Sequence, residues 1–270
     1  MLTFNTDGML IQCFVFKDPI IDYIFKNLKP EHLIKLYQCC KFFYSKFRLN
    51  IIRRLAIVND DVEEILNPTI TIIRASNTAL KKLADFWISD SLSLTTTSNV
   101  QITLPTFSRC TIKKLVLCDC VKLDEFLMLT KAGTIEEMKI KGVFAEDGVA
   151  FIPIEDIINE VPNAKSITKI YESFITPTTF SSLVSLKHRA KLSKLVLINM
   201  TVASHVFKHN LMVDFVLKNA DDVCNVLVGF EMVPEINDLS RQINCLLKKI
   251  SSRFNHLIVL LLKQKKEETS

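Results

Sequence analysis

The stretch TIKKLVLCDC at residues 111–120 decides the fold, because its spacing of apolar side chains recurs along the chain. Ile112, Leu115, Leu117 and Cys120 occupy the first, fourth, sixth and ninth places of the segment that starts at Ile112. Leu115 and Leu117 are two residues apart, and side chains at that separation point to the same face of a β-strand. The stretch therefore predicts a short strand that points its leucines into a core and ends in a turn.

The spacing returns in full at three later places and approximately at a fourth. The full copies are Ile135, Met138 and Ile140, then Leu192, Leu195 and Leu197, then Val223, Val226 and Val228. In the approximate copy, at residues 164–171, Ile167 and Ile170 fit the pattern. Successive copies are 23, 29, 28 and 31 residues apart, and each interval has room for one helix. Repetition at this period predicts stacked units of one strand and one helix.

The intervals between these strands carry helix-start signals. Pro153, Pro177 and Pro234 lie at or beside expected helix starts, where a missing N–H costs nothing. The expected helices cover Leu123–Thr130 and residues 154–160, 178–186, 205–217 and 235–250. A last apolar strand is expected over residues 256–262. Alternating strands and helices predict an α/β fold with a parallel sheet.

The repeated pattern resembles the strand signature of leucine-rich repeats. We therefore predict that residues 111–263 form an irregular leucine-rich-repeat-like α/β solenoid. An ordinary α/β core, with the spacing arising by chance, is the alternative. Residues 56–110, with strands expected at 69–73 and 86–94, are interpreted as the segment that leads into the solenoid. Residues 264–270 are interpreted as a disordered tail.

The N-terminal part of the chain predicts three short helices. Asp18-Pro19 is typical of a helix start, and Pro30 ends one helix and starts the next. The apolar stripes are Ile20, Ile21, Ile24, Phe25 and Leu28, then Leu33, Leu36, Tyr37 and Cys40, then Phe43, Phe47, Ile51, Ile52 and Leu55. Three short helices cannot bury so many large side chains among themselves. Either an obligate partner or the rest of the chain is expected to cover them.

Residues 16–43, FKDPIIDYIFKNLKPEHLIKLYQCCKFF, resemble an F-box. The positions in register with the family pattern are Ile24, Phe25, Leu28, Pro30, Leu33, Leu36, Cys40 and Lys41. The family's opening Leu-Pro is Phe16-Lys17 here, its Val is Cys39 and its Trp is Phe43. This version is most similar to the divergent F-box families expanded in nematodes. The resemblance implies an all-helical F-box module over residues 1–55.

The resemblance to the F-box family also implies a partner. F-box modules dock on the Skp-type adaptor of a cullin–RING ubiquitin ligase, and through that adaptor they reach the cullin. The residues expected to contact the adaptor, or to support that contact directly, are Phe16, Pro19, Ile20, Ile24, Phe25, Leu28, Pro30, Leu33 and Leu36.

The residues between the leucine-type positions are predicted to point outward, onto the concave face of the sheet. They are Lys114, Val116 and Cys118, then Glu137, Lys139 and Lys141, then Lys194, Val196 and Ile198, then Asn225, Leu227 and Gly229. With basic residues near one edge and apolar residues near the centre, this face is expected to bind a protein substrate. Val116, Val196 and Leu227 should then be partly exposed. The alternative is that the C-terminal helix or the loop at residues 142–150 covers them.

Composition excludes several classes of protein. A chain of 270 residues that is 49% hydrophobic and 23% charged is not a disordered chain. Its five glycines are too far apart for a phosphate-cradling loop. No apolar run is long enough to span a bilayer, and the N-terminus lacks the pattern of a secretory signal. The eight cysteines then indicate reduced thiols in the cytoplasm or nucleus.

The net charge of +5 is concentrated in one segment. Between Lys17 and Arg54 there are nine basic and three acidic residues, a charge of +6, so the rest of the chain carries −1. Such an excess indicates an acidic partner, either nucleic acid or an acidic protein.

Residues that could carry chemistry are few. His205 and His209 have the spacing of two metal ligands on a helix, but a solvated helix face explains them better. Cys118-Asp119-Cys120 is better explained by packing than by metal binding. No metal, no cofactor and no catalytic constellation is predicted, so we expect a protein that is not an enzyme.

Three function classes remain. The first is a substrate-recruiting subunit of a Skp–cullin–F-box ubiquitin ligase, which holds a protein substrate while other subunits perform the chemistry. The second is an interaction scaffold that binds the adaptor without delivering substrates. The third, nucleic-acid binding through the basic helices, is less favoured, because the F-box pattern explains the same aromatic and basic residues.

Overall fold

The computed structural model describes residues 8, 17–47, 49–67, 69–96, 103–148, 150–170, 173–202, 208–232 and 258–264. Over these residues the chain is a mixed α/β structure with a mostly parallel sheet, which confirms the predicted α/β class. Three short α-helices precede the sheet. Each of the four other described α-helices lies in a connection between two parallel strands of the sheet.

The first three helices are α1 (Asp18–Asn27), α2 (Pro30–Cys39) and α3 (Lys41–Phe47). Proline stands in the first turn of both α1 and α2, where it stabilises the helix start. Between α1 and α2 the backbone at Leu28 and Lys29 is extended, as expected for a residue that precedes a proline. These three helices, residues 17–47, are called the helical module below.

The third helix is shorter than predicted. Ile51, Ile52 and Leu55 were expected on it, and that prediction is wrong, because all three lie on strand β1 (Asn50–Val58). Their spacing fits one helix face, but β-branched residues also favour strands. Pairing of β1 with two neighbouring strands decides between the two structures. Strand β1 therefore crosses residue 55, where we expected the N-terminal helical module to end and the segment leading into the repeats to begin.

The sheet contains twelve strands within the described residues. Besides β1 they are β2 (Ile65–Leu66), β3 (Ile70–Arg74), β4 (Phe86–Thr95), β5 (Arg109–Cys110), β6 (Lys114–Leu117), β8 (Glu137–Ile140), β10 (Ser166–Lys169), β11 (Ser173–Phe174), β12 (Leu192–Val202), β13 (Ala220–Met232) and β14 (Ile258–Gln264). Two further strands, β7 (Val121–Lys122) and β9 (Val143–Phe144), pair with each other. The order is β14-β13-β12-β10-β8-β6-β4-β1-β3-β2, with β5 beside β4 and β11 beside β12. Only β2 and β3 pair antiparallel among the described strands.

Each strand predicted from the repeat is present in the sheet. The strands β6, β8, β10, β12 and β13 fall on the five copies of the pattern, and β14 falls on the last expected strand. The strands expected at residues 69–73 and 86–94 are β3 and β4. Because β4 pairs directly with β6, the sheet continues without a break from the repeats into the preceding segment.

The crossovers carry α4 (Leu123–Thr130), α5 (Ile154–Asn159), α6 (Thr179–Ser185) and α7 (His209–Asn219), and a 3₁₀ helix covers Thr78–Asp85. The first three agree with the predicted helices to within one residue at each end. Helix α7 begins at His209, four residues after its predicted start, and ends two residues past its predicted end. The helix expected over residues 235–250 lies outside the described residues. Gly133, in the turn after α4, has a φ of 62°, a left-handed conformation that glycine adopts at no steric cost.

One core fills the space between the sheet and these helices. The leucine-type positions of neighbouring strands are buried in register, as in Leu115, Met138, Ile167 and Leu195. They belong to the same apolar cluster as buried side chains of the helices, such as Phe126 of α4. The predicted division into inward and outward positions is therefore present on these strands.

Backbone hydrogen bonds join successive units at the edge where the strands begin. The N–H of Lys113 donates to Asp90 O at 2.9 Å, and the N–H of Glu136 donates to Lys113 O at 2.7 Å. The N–H of Lys165 donates to Glu136 O at 2.7 Å, and the N–H of Ser193 donates to Lys165 O at 2.8 Å. Equivalent positions of consecutive units are thus bonded in the same way.

Candidate functional site

One face of α1 exposes three large apolar side chains. Ile20, Tyr23 and Ile24 have 48%, 69% and 39% of their surface exposed. Residues three and four apart are neighbours on a helix, so the three form one continuous patch, called the α1 face below. Apolar residues grouped in this way on a short helix are typical of a protein-binding surface.

The opposite side of α1 is buried against a small core. Ile21, Phe25, Leu33 and Tyr37 pack together around Trp87, a residue of strand β4. Trp87 Nε1 donates a 2.6 Å hydrogen bond to Thr111 Oγ1, which holds the indole against the segment between β5 and β6. Trp87 is thus the fully buried residue that the sheet supplies to this core, and Ile51 of β1 packs against the same cluster.

Aromatic contacts complete this small core. The ring centroids of Phe25 and Phe43 are 5.4 Å apart, and those of Tyr37 and Tyr44 are 5.5 Å apart with nearly perpendicular planes. Burial raises the pKa of the Tyr37 hydroxyl to about 12. Phe43 is a packing residue of this core.

The predicted adaptor-binding residues divide by exposure. Pro19, Ile20 and Ile24 are exposed. Leu28, Pro30 and Leu36 are half-buried, and Phe25 and Leu33 are buried in the small core. Phe16 lies outside the described residues. Sequence reasoning missed Tyr23, the most exposed member of the α1 face, although its position three residues after Ile20 could have indicated it.

The outward residues of the sheet form rungs that cross it. One rung holds Lys114, Glu137, Ser166, Lys194 and Asn225, and the next holds Val116, Lys139, Thr168, Val196 and Leu227. These rungs define the outer face. The eight predicted residues on these two rungs are thus aligned as expected, and β10 adds Ser166 and Thr168, which sequence reasoning omitted because the copy on β10 is imperfect. The other four predicted residues, Cys118, Lys141, Ile198 and Gly229, lie beyond these rungs, and Gly229 is buried against Ile198 instead of exposed.

Three apolar residues of the outer face were predicted to be partly exposed. Val116, Val196 and Leu227 are each partly exposed. Lys114 and Glu137 form a 2.8 Å ion pair on the first rung. Lys139 lies between the side chains of β6 and β10 on the second rung, so positive charge reaches the middle of the face instead of staying at one edge.

A shallow cavity of about 200 Å³ opens where β6, β8 and β10 end. Three of its lining residues are Cys118, Lys139 and Lys141, all predicted to bind substrate. Ile170, which is 37% exposed, completes the apolar part of the lining and was not predicted. Lys141 Nζ lies 3.6 Å from Asp119 Oδ1, which places one carboxylate beside the cavity.

A lysine occupies an inward position of the sheet. Lys169 pairs in register with Ile140 and Leu197 and is only 1% exposed. Its Nζ donates to Lys141 O at 3.4 Å. Burial lowers the pKa of the Lys169 amine to about 8. The side chain points away from the outer face, so its effect is on the stability of the core.

Within the described part of the chain, no group of three or more His, Cys, Asp or Glu side chains is placed to hold a metal ion. His205 and the side chain of His209 lie outside the described residues. Nor does any described helix have the length and apolar character needed to cross a bilayer. No family model, no curated protein and no solved structure matches the chain.

Proposed function

We propose that the protein is a substrate-recruiting subunit of a Skp–cullin–F-box ubiquitin ligase. In this role the helical module is a divergent F-box and binds the Skp-type adaptor. The sheet and its crossover helices form an irregular leucine-rich-repeat-like solenoid, which binds a protein substrate. The protein contributes proximity and no chemistry of its own.

The α1 face is the observation that carries this proposal. Ile20 and Ile24 fall on predicted adaptor contacts and are exposed, whereas Phe25 and Leu33 of the same pattern are buried behind them. The same sequence pattern thus supplies both the contact residues and their support. Interface energy is concentrated in a few apolar anchors of this kind.

Two further features support the proposal. The repeated hydrogen bonds between units, such as Glu136 N–H to Lys113 O, are what a solenoid of stacked strands requires. The basic charge of residues 17–54 suits an acidic adaptor and should increase the association rate at low ionic strength.

Affinity purification of the tagged full chain from cells that express it tests the proposal. The wild type should recover the adaptor and a cullin. Ile24→Asp should recover neither, because it places a charge in the interface. Leu127→Asp is the matched control, since Leu127 is also 39% exposed on a helix but lies on α4. If none of these proteins, including the wild type, recovers the adaptor and a cullin, the proposal is contradicted.

A further inference from the structure

A cleft of about 560 Å³ lies between the helical module and the strand starts of the sheet. The junction of α1 and α2 forms one wall through residues 26–31. The other wall comes from β1, β4 and the start of the repeats, with Trp87 and Arg109 among its residues. This space is called the basic cleft below.

Positive charge predominates in the basic cleft. Its cations are Lys26, Lys29, Arg53, Arg109 and Lys113, and its carboxylates are Glu31 and Asp90. Five cations against two carboxylates give the lining a charge of +3. Asp90 is already engaged, because its Oδ2 lies 3.7 Å from Arg53 Nη2 and 3.3 Å from Arg54 Nε.

The other four cations have no carboxylate partner within 4.0 Å among the described residues. Lys26, Lys29, Arg109 and Lys113 are all exposed. Glu136, the carboxylate whose charge acts on Lys113, is bonded to Lys165 at 2.8 Å, and that bond is the main cause of the lowered pKa of its carboxyl. Cations gathered from separate elements in excess of the nearby carboxylates repel one another, and a bound anion would relieve that repulsion.

Two features organise the cleft for such an anion. The Arg109 guanidinium lies 4.0 Å from the centroid of the Trp87 ring, a cation–π contact that holds the planar fork in place. The N-terminus of α2 lines the cleft at Pro30 and Glu31, and its partial positive charge adds to that of the side chains. An ordered guanidinium with several lysines around it suits phosphate oxygens.

We propose that the basic cleft is a binding site for a ligand with clustered phosphate groups. The volume is larger than one phosphate needs, and the cations come from both walls, so the ligand would bridge the helical module and the sheet. Leu28 and Pro30 also line the cleft and belong to the predicted adaptor contacts, which places this ligand beside the proposed adaptor. The site itself requires neither adaptor nor ligase.

The full-length protein carries its own reporter for this site. Trp87 is the only tryptophan of the chain, and its ring contacts Arg109 in the cleft. Titration with sodium tripolyphosphate should change the tryptophan fluorescence in a saturable way with one site per chain. The apparent affinity should fall as salt is added, because the contacts are between exposed charges.

Two double variants of equal charge make the test specific. Lys29→Gln/Lys113→Gln removes one cation from each wall, and it should weaken tripolyphosphate binding by roughly tenfold or more, since it deletes two charge-assisted contacts. Lys81→Gln/Lys131→Gln removes two exposed lysines that do not line the cleft, and it should change the affinity less than about twofold. Circular dichroism checks that both variants are folded.

The source of the phosphate is distinguished by a second probe, a peptide with two adjacent phosphoserines, compared with its unphosphorylated form. Saturable binding of the phosphopeptide through the same lysines supports a protein-borne ligand, and binding of tripolyphosphate alone supports a small molecule. Absence of a saturable change with either probe would overturn the proposal. Equal weakening of tripolyphosphate binding in both double variants would also overturn it. The same holds if single-stranded RNA binds more tightly than either phosphate probe and loses affinity equally in both double variants.

Discussion

The helical module and the sheet differ in how their apolar residues are covered. The sheet buries its leucine-type positions under its own crossover helices, in a single large cluster. The helical module has only a small cluster around Trp87, and it leaves the α1 face exposed. We therefore expect the stability of the helical module to depend more on its contact with the sheet than the stability of the sheet depends on the module, and the module presents an exposed apolar surface at the α1 face.

The largest effect is expected where the two regions meet. Trp87→Ala should lower the free energy of unfolding by about 3–5 kcal/mol, because it removes the largest buried side chain at the junction. Trp87→Phe, which keeps a ring but loses the hydrogen bond to Thr111, should cost about 1 kcal/mol beyond the change in ring size. Urea unfolding followed by circular dichroism measures both.

Proteolysis shows which region the Trp87 substitution affects. In Trp87→Ala the cleavage rate should rise within residues 17–47 before it rises in the repeats. Uniform cleavage along the chain would mean that the helical module does not depend on this contact more than the sheet does.

A smaller effect is expected from Lys169. Burial lowers its pKa from 10.5 to about 8, so between these values the unfolded chain binds more protons and the stability of the wild type rises with pH. At pH 7 the buried amine is charged, and Lys169→Met should therefore stabilise the protein by about 1–3 kcal/mol. Unfolding of both proteins at pH 7 and pH 10 should show the difference shrinking at the higher pH. A difference that is independent of pH would contradict this account.

The outer face should affect substrate capture without affecting the helical module. Lys139→Glu/Lys194→Glu should reduce capture of partners other than the adaptor and cullin by about tenfold, because it reverses two charges on neighbouring rungs. Adaptor binding should be unchanged. Lys131→Glu/Lys187→Glu, at exposed lysines that follow α4 and α6, is the control. Quantitative mass spectrometry of the purified complexes measures both, and equal losses in the two variants would exclude a specific role for the outer face.

The smallest effect concerns the exposed ion pair on the first rung. Lys114 and Glu137 are each 56% exposed, so Lys114→Gln should change the free energy of unfolding by less than about 0.5 kcal/mol. A cost above 1 kcal/mol in urea unfolding would show that charges on the outer face, and not only the buried leucines, hold the strands together.

The sequence predicted the strands β6, β8, β10, β12 and β13 well because each copy of the pattern is local. The spacing of Leu115 and Leu117 is readable within a few residues, and so are the helix starts that follow the prolines. The same spacing occurs in Leu92 and Leu94, which pair with those leucines and precede them by 23 residues, yet it was not recognised as a copy. Ser89 stands where Ile112 begins the pattern, and this breaks the signature.

Long-range pairing explains what the sequence could not predict. Ile51 and Ile52 fit a helix face as well as a strand, and only their pairing with Trp87 and Ile88 on β4 decides between the two. The basic cleft was also missed, because its residues come from segments that are far apart in the chain. The sequence shows the excess of basic residues in 17–54. These residues lie near Arg109 and Lys113 only because the helical module packs against the sheet.

Binding of the purified adaptor to the full-length protein, measured by titration calorimetry, tests the central claim most directly. The wild type should bind one adaptor, Leu127→Asp should bind equally well, and Ile24→Asp should bind about 2–4 kcal/mol more weakly. Leu33→Asp should also lose binding, but through unfolding of the helical module, which circular dichroism would detect. Failure of the folded wild type to bind the adaptor, or equal binding by Ile24→Asp and Leu127→Asp, would contradict the account.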